Sequence, residues 1–152
     1  MSTTLSVRTA TVADLPAVTD LFLRYLEFYG VAVPDEERPA AFLAERLKNG
    51  DSVVLLAETP AGPVGFAQVY RTFSSLSMGT VWTLNDLYVR EEARGAGAGR
   101  ALVRACLEHA RAAGAVGIQL ETAPDNHVAQ SLYDSEGFER ERFVAYHRSL
   151  DG

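Results

Sequence analysis

Apolar and polar residues alternate over Leu5–Thr9, with Leu5, Val7 and Thr9 set against Ser6 and Arg8, and this period of two predicts a first strand. Thr11-Val-Ala-Asp14 then reads as a capping box with Asp in the closing position. The helix it opens puts Leu15, Val18, Phe22, Tyr25 and Tyr29 on one face and ends at Gly30. Val31–Pro39 is a loop, and Phe42, Leu43 and Leu47 mark a short second helix stopped at Asn49-Gly50. Ser52–Glu58 is nearly all apolar, as a central strand is. Pro60-Ala-Gly-Pro63 is a turn that joins it as a hairpin to a long strand, Val64–Phe73. Met78–Val89 is another long strand, rich in β-branched and aromatic residues. From Ala98 a helix turns Leu102, Val103, Cys106, Leu107 and Ala110 inward, and Gly114 caps it. Val116–Thr122 alternates with Val116, Ile118 and Leu120 inward, His127–Ser135 is helical, and Phe138–Arg140 and Phe143–Ser149 read as closing strands.

That order of elements predicts an α+β fold around a mixed sheet. At 152 residues, the chain is expected to form one domain, 1–152, with a core that needs no staples. The single cysteine, Cys106, excludes a disulfide framework and a Cys-rich zinc site. The three histidines, His109, His127 and His147, fit no metal spacing, so no metal is expected. A net charge of −6 argues against nucleic acid bound by bulk charge. The apolar runs are too short to span a bilayer, and Met1-Ser-Thr-Thr-Leu-Ser shows no basic segment followed by an apolar one, so a cytoplasmic protein is expected.

The segment Leu87-Tyr-Val-Arg-Glu-Glu-Ala-Arg94-Gly-Ala-Gly-Ala-Gly-Arg100 carries the chemistry. A strand feeds a glycine-rich turn that opens a helix. Glycines at 95, 97 and 99 let backbone approach an anion without Cβ interference. Exposed N–H groups and the helix dipole favour phosphate there, and Arg94 and Arg100 add charged donors. A kinase-type phosphate loop ends in Gly-Lys-Ser/Thr, and this one ends in Gly-Arg-Ala. A dinucleotide fingerprint needs Gly-x-Gly-x-x-Gly in a first βαβ unit, and neither spacing nor position fits. A pyrophosphate loop for coenzyme A and a plain flexible helix cap remain.

Arg94-Gly-Ala-Gly97-Ala-Gly99, preceded by Val89, resembles the acyl-CoA loop of the GNAT superfamily of acetyl-CoA-dependent N-acetyltransferases. A second stretch, Asn126-His-Val-Ala129-Gln-Ser-Leu132-Tyr133-Asp-Ser-Glu-Gly137-Phe138, is similar to that family's later motif, and the element order matches from Leu5 to Leu150. Leu84-Asn-Asp-Leu-Tyr-Val89 resembles the Leu-Glu-Asp-Leu-Phe-Val strand of diamine acetyltransferases. The resemblance implies a mostly antiparallel sheet of about seven strands with about four helices, the central strands splayed around the cofactor. It implies acetyl-CoA as co-substrate, held by backbone groups of Leu87, Tyr88 and Val89 along the pantetheine and by Arg94, Gly95, Ala96, Gly97, Ala98, Gly99 and Arg100 at the pyrophosphate. Asn126 would bond the pantetheine arm, or cap a helix, or both. Tyr133 matches the tyrosine that protonates the departing thiolate, a role set against that of a core aromatic.

An alkyl ammonium must lose a proton before it attacks, because only about one part in a thousand is neutral near pH 7.4. Diamine acetyltransferases carry Glu where this chain has Asn85, so Asp86, Glu121 or a water relay is left as the base. The acceptor side is expected to use Phe28, Tyr29, Asn85 and Glu121, with Asp35, Glu36 and Glu37 drawing an ammonium or simply complementing a helix dipole. The function implied is direct acetyl transfer to a primary amine such as a polyamine or lysine-like group. A non-catalytic acyl-CoA-binding domain on the same fold is the alternative. A homodimer is expected, with Phe73, Trp82 and the strand Phe143–Leu150 as contacts.

Overall fold

One sheet organises the chain up to Glu121, with the strands in the order β1-β2-β3-β4-β5. The computed structural model describes residues 4–151; residues 1–3, which include part of the stretch read for a leader, and residue 152 lie outside the described residues. The strands are β1 (Ser6–Thr9), β2 (Val53–Thr59), β3 (Gly62–Ser74), β4 (Gly79–Val89) and β5 (Gly117–Gln119). The first four pair antiparallel, and β5 runs parallel to β4. The helices of this unit are α1 (Leu15–Phe28), α2 (Glu37–Asn49) and α3 (Ala98–Ala112).

Local chemistry sets these boundaries. The Asp14 carboxylate accepts the Thr11 backbone N–H at 2.8 Å, which fixes the turn that enters α1. Gly50, at φ +63, closes α2 in the left-handed conformation open to glycine. Val54, Leu56 and Phe66 pack with Val18, Leu21, Phe22 and Leu43 of α1 and α2 in one buried cluster. A Cβ on Gly65, one residue from Phe66, would instead lie 3.3 Å from Leu102 of α3. Because neighbouring strand residues face opposite ways, helices cover both faces of the sheet.

Two features of β4 position the site. Its pairing with β5 spans only Val81–Thr83, so among the described residues Leu84–Val89 continues with that edge unpaired. On the other side, Gln68 stands opposite Asp86 and Val69 opposite Leu84, which makes Asn85 the extra residue of a β-bulge.

The second unit, from Thr122, holds α4 (His127–Ser135) and a C-terminal stretch. Among the described residues the sheet has five strands rather than about seven, because 138–151 forms neither strand nor helix. Phe143, Val144, Tyr146 and Leu150 carry a strand-like pattern, but they are exposed and have no ladder partner. A period of two needs a neighbouring strand to become a strand. Val116 is exposed rather than inward, since β5 begins one residue later. Trp82 is buried, not available as a surface contact: its ring meets His109 of α3 edge-on at 5.0 Å.

Candidate functional site

The end of β4 runs through a single 3-10 turn, Glu91–Ala93, into the glycine turn and α3. Gly95 and Gly97 sit at φ +86 and +88, conformations that side-chain-bearing residues rarely adopt. A Cβ at either position would meet nothing within 4 Å, so the turn opens outward. Gly97 is the N-cap of α3 and supplies no side-chain acceptor, which leaves the first N–H groups of the helix pointing out of the turn. Ala98 begins the helix, followed by Gly99 and Arg100. This donor set suits an anionic diphosphate such as that of acetyl-CoA.

Arg94 behaves differently from a freely extended arginine. Its Nε donates to the Val89 carbonyl at 3.0 Å, and its guanidinium lies 5.5 Å from the Phe28 ring and 5.7 Å from that of Tyr88. It thereby links the glycine turn to the exposed end of α1, where Phe28 and Tyr29 meet edge-on at 5.2 Å. Arg90 adds a second tie: its Nη2 donates to Asp20 of α1 at 2.6 Å and its Nε to the Pro63 carbonyl at 3.0 Å. Sequence reading passed over Arg90 because nothing local marks it.

Asp86 is 4% exposed, in contrast to Glu121, which is exposed just beyond β5. The Gln68 Nε2 donates to Asp86 Oδ2 at 2.5 Å, and the Asn85 Nδ2 donates to Oδ1 at 2.9 Å. The Tyr25 hydroxyl also bonds to Asp86 and lies 3.4 Å from the Asn85 carbonyl. Burial pushes the Asp86 carboxyl above the ordinary range, against the pull of the Gln68, Asn85 and Tyr25 donors. All three partners are neutral. Gln68 was missed from the sequence, although a polar residue inside the apolar run Val64–Tyr70 was a readable signal.

The Asp35 Oδ1 accepts the backbone N–H of Glu37 at 3.0 Å and of Arg38 at 3.1 Å at the start of α2. That contact complements the start of the helix.

In the second unit Asn126 caps α4, its Oδ1 accepting the Ala129 N–H at 3.1 Å. Tyr133 is buried on the same helix, with its ring edge-on to Phe138 at 5.8 Å. The paired motif residues Asn126 and Tyr133 thus open and anchor one helix.

Known proteins resemble the chain over nearly its whole length. The model of the acetyltransferase (GNAT) family matches residues 15–138. The chain is 42% identical over 143 residues to the uncharacterized N-acetyltransferase YhfO of Bacillus subtilis (strain 168), covering 93% of this chain and 95% of that protein. It is 29% identical over 147 residues to the aminoglycoside N(6')-acetyltransferase type 1 of Stenotrophomonas maltophilia, covering 94% and 92%. A crystal structure of a probable acetyltransferase matches with a TM-score of 0.88 at 38% identity, over 97% of this chain and 99% of that one. With the glycine turn, the unpaired edge of β4 and the second motif in family order, these matches show that the chain belongs to the GNAT family of acetyltransferases and is an acyl-transferring enzyme.

Proposed function

We propose that the protein transfers the acetyl group of acetyl-CoA directly to a cationic primary amine through a ternary complex. The observation that carries the reading is the run of β4 from Asp86 to Val89. A buried carboxylate with only neutral donors stands three residues from the last strand residue before the glycine turn, on a strand whose far edge is unpaired. Backbone groups of Leu87, Tyr88 and Val89 hold the pantetheine arm and polarise the thioester carbonyl. One such donor is worth about 3 kcal/mol of transition-state stabilisation. The N–H groups of Gly95 to Arg100 hold the pyrophosphate, and Asn126 keeps its amide nitrogen for the pantetheine.

Acetyl-CoA supplies the acetyl group as a thioester, whose C–S bond breaks as the C–N bond forms. Asp86 takes the ammonium proton, which makes the nitrogen lone pair available for attack. Its desolvated carboxyl is a stronger base than an exposed one. A substrate ammonium is also the positive partner that the buried carboxylate lacks among the described residues. Tyr133, by its place in the second motif, gives the thiolate its proton. Phe28 and Tyr29, both more than half exposed, form the acceptor wall with Asn85 and Glu121. The similarity to an aminoglycoside acetyltransferase, whose named substrate class is rich in primary amines, supports a cationic acceptor.

Free thiol released from acetyl-CoA across a panel of polyamines, lysine derivatives, aminoglycosides and acidic amines tests the reading. Release with the cationic members, lost in Asp86→Asn, is expected. Turnover confined to acidic or neutral acceptors overturns it. A homodimer is part of the same proposal, supported by exposed Phe73 and by exposed Phe143, Val144 and Tyr146. A monomer mass in light scattering at micromolar concentration refutes that part.

A further inference from the structure

We propose that Gln68 and Ser52 are positioning residues for the Asp86 carboxylate, with the Ser52 hydroxyl locking the Gln68 amide so that its N–H edge faces Asp86. The inference rests on the assignment of Asp86 as the base, and its test reads Asp86 directly.

Gln68 is 0% exposed in a strand whose neighbours Phe66, Ala67 and Val69 are apolar and buried. A glutamine there pays a desolvation cost unless both ends of its amide are used. Both are: Nε2 donates to Asp86 Oδ2 at 2.5 Å, and Oε1 accepts from the Ser52 Oγ at 2.9 Å. Ser52 is itself buried, just ahead of β2. The polarity of the chain follows from donor chemistry. An ionised carboxylate only accepts, so it must receive the amide N–H; the amide oxygen then faces Ser52, and the hydroxyl must donate. Ser52 to Gln68 to Asp86 is a one-way line of donors across three strands' worth of sheet.

The bulge completes the cradle. On a regular strand Asn85 and Asp86 would face opposite sides. With Asn85 as the bulged residue, its Nδ2 reaches Asp86 Oδ1 at 2.9 Å while Gln68 holds Oδ2. Each carboxylate oxygen therefore has its own amide, and the carboxylate plane is fixed relative to β4. Without Ser52 the Gln68 amide is free to turn its oxygen toward Asp86, which repels the ionised form and suits the protonated one.

Other titratable groups lie on this face. They are Tyr25 of α1, Tyr70 of β3, and Arg46 of α2 with its partners Asp51 and Glu45. Burial, with the nearby Asp86 charge, pushes the Tyr70 phenol up to about 12. Arg46 keeps its charge beside Asp51.

The experiment follows the Asp86 carboxyl by carbon-13 NMR of Asp-labelled protein, assigned against Asp86→Asn, alongside the pH profile of kcat/KM. A hydrogen bond to a charged group is lost in Gln68→Met, and its orientation in Ser52→Ala. Both variants are expected to move the titration and the acidic limb upward, by about one pH unit for Gln68→Met and less for Ser52→Ala. Ser52→Thr, which keeps the hydroxyl, is expected to restore the parent titration. Should Gln68→Met fail to fold, the Ser52 pair carries the test alone. An Asp86 titration unchanged in Ser52→Ala overturns the inference. If the titration moves as expected while Asp86→Asn keeps full turnover, the positioning stands and the assignment of the base is what fails.

Discussion

At Gly97 a side chain would have open space around it yet an unfavourable backbone, φ +88, with a penalty of about 1–2 kcal/mol for an L-residue. Gly97→Asp adds that strain and a negative charge where the phosphate is to sit. Acetyl-CoA affinity measured by calorimetry is expected to fall more than tenfold, and unchanged affinity would remove the turn from the cofactor site. Tyr133 poses the opposite question, because a buried ring on Phe138 is what a packing residue also shows. Removal of the hydroxyl alone separates the roles. Tyr133→Phe is expected to lower kcat by about 100-fold, the lower range for general acid catalysis, with acetyl-CoA affinity nearly intact. Equal turnover at pH 7–8 would leave Tyr133 with packing only.

Among the elements, β3 and β4 are held at close range near the cofactor end. A Cβ on Gly65 would come within 2.7 Å of the Tyr88 carbonyl and 3.2 Å of a Val89 methyl. Since the Tyr88 oxygen belongs to backbone, it cannot rotate away. Gly65→Ala is expected to cost about 1–3 kcal/mol in denaturant unfolding and to weaken acetyl-CoA binding, because the strand that shifts is the one proposed to hold pantetheine. A stability change with unaltered affinity would separate the two effects. The helix α1 was legible from periodicity, and α4 begins and ends at His127 and Ser135 as read, whereas α2 begins at Glu37, inside the stretch read as a loop to Pro39. The C-terminal strands were not legible. Their alternating pattern is a statement about one chain segment, whereas a strand is a property of a pair.

For the molecule as a whole, the buried Asp86 links stability to pH. Its folded-state pKa is raised by burial above the unfolded value of about 3.9, so the folded state binds the extra proton. Stability therefore falls as pH rises through the window from the ordinary carboxylate range up to the raised value, and the loss is complete above it. Thermal unfolding of the parent against Asp86→Asn across pH 3–8 is expected to show this slope in the difference between the two, since depressed carboxylates such as Asp14 and Asp20 tilt both profiles the other way. Parallel profiles would mean that Asp86 titrates alike in both states. A destabilising group retained in the sheet interior is what a functional carboxylate looks like.

The sequence by itself determined the order of elements from β1 to α4, the glycine turn between strand and helix, and the two motifs that mark the family, because each depends on residues close together along the chain. Asp86 was readable as a candidate, yet its burial, against the exposure of Glu121, is encoded by no local pattern. The bulge that turns Asn85 onto Asp86 depends on pairing with β3, and the Ser52–Gln68–Asp86 line and the approach of Arg94 to the Phe28 ring join residues far apart in sequence. Only the tertiary structure decided these, since register, burial and the meeting of helix with strand arise from packing the whole sheet. The same holds for Trp82, whose strand position left its face open until α3 set His109 against the ring.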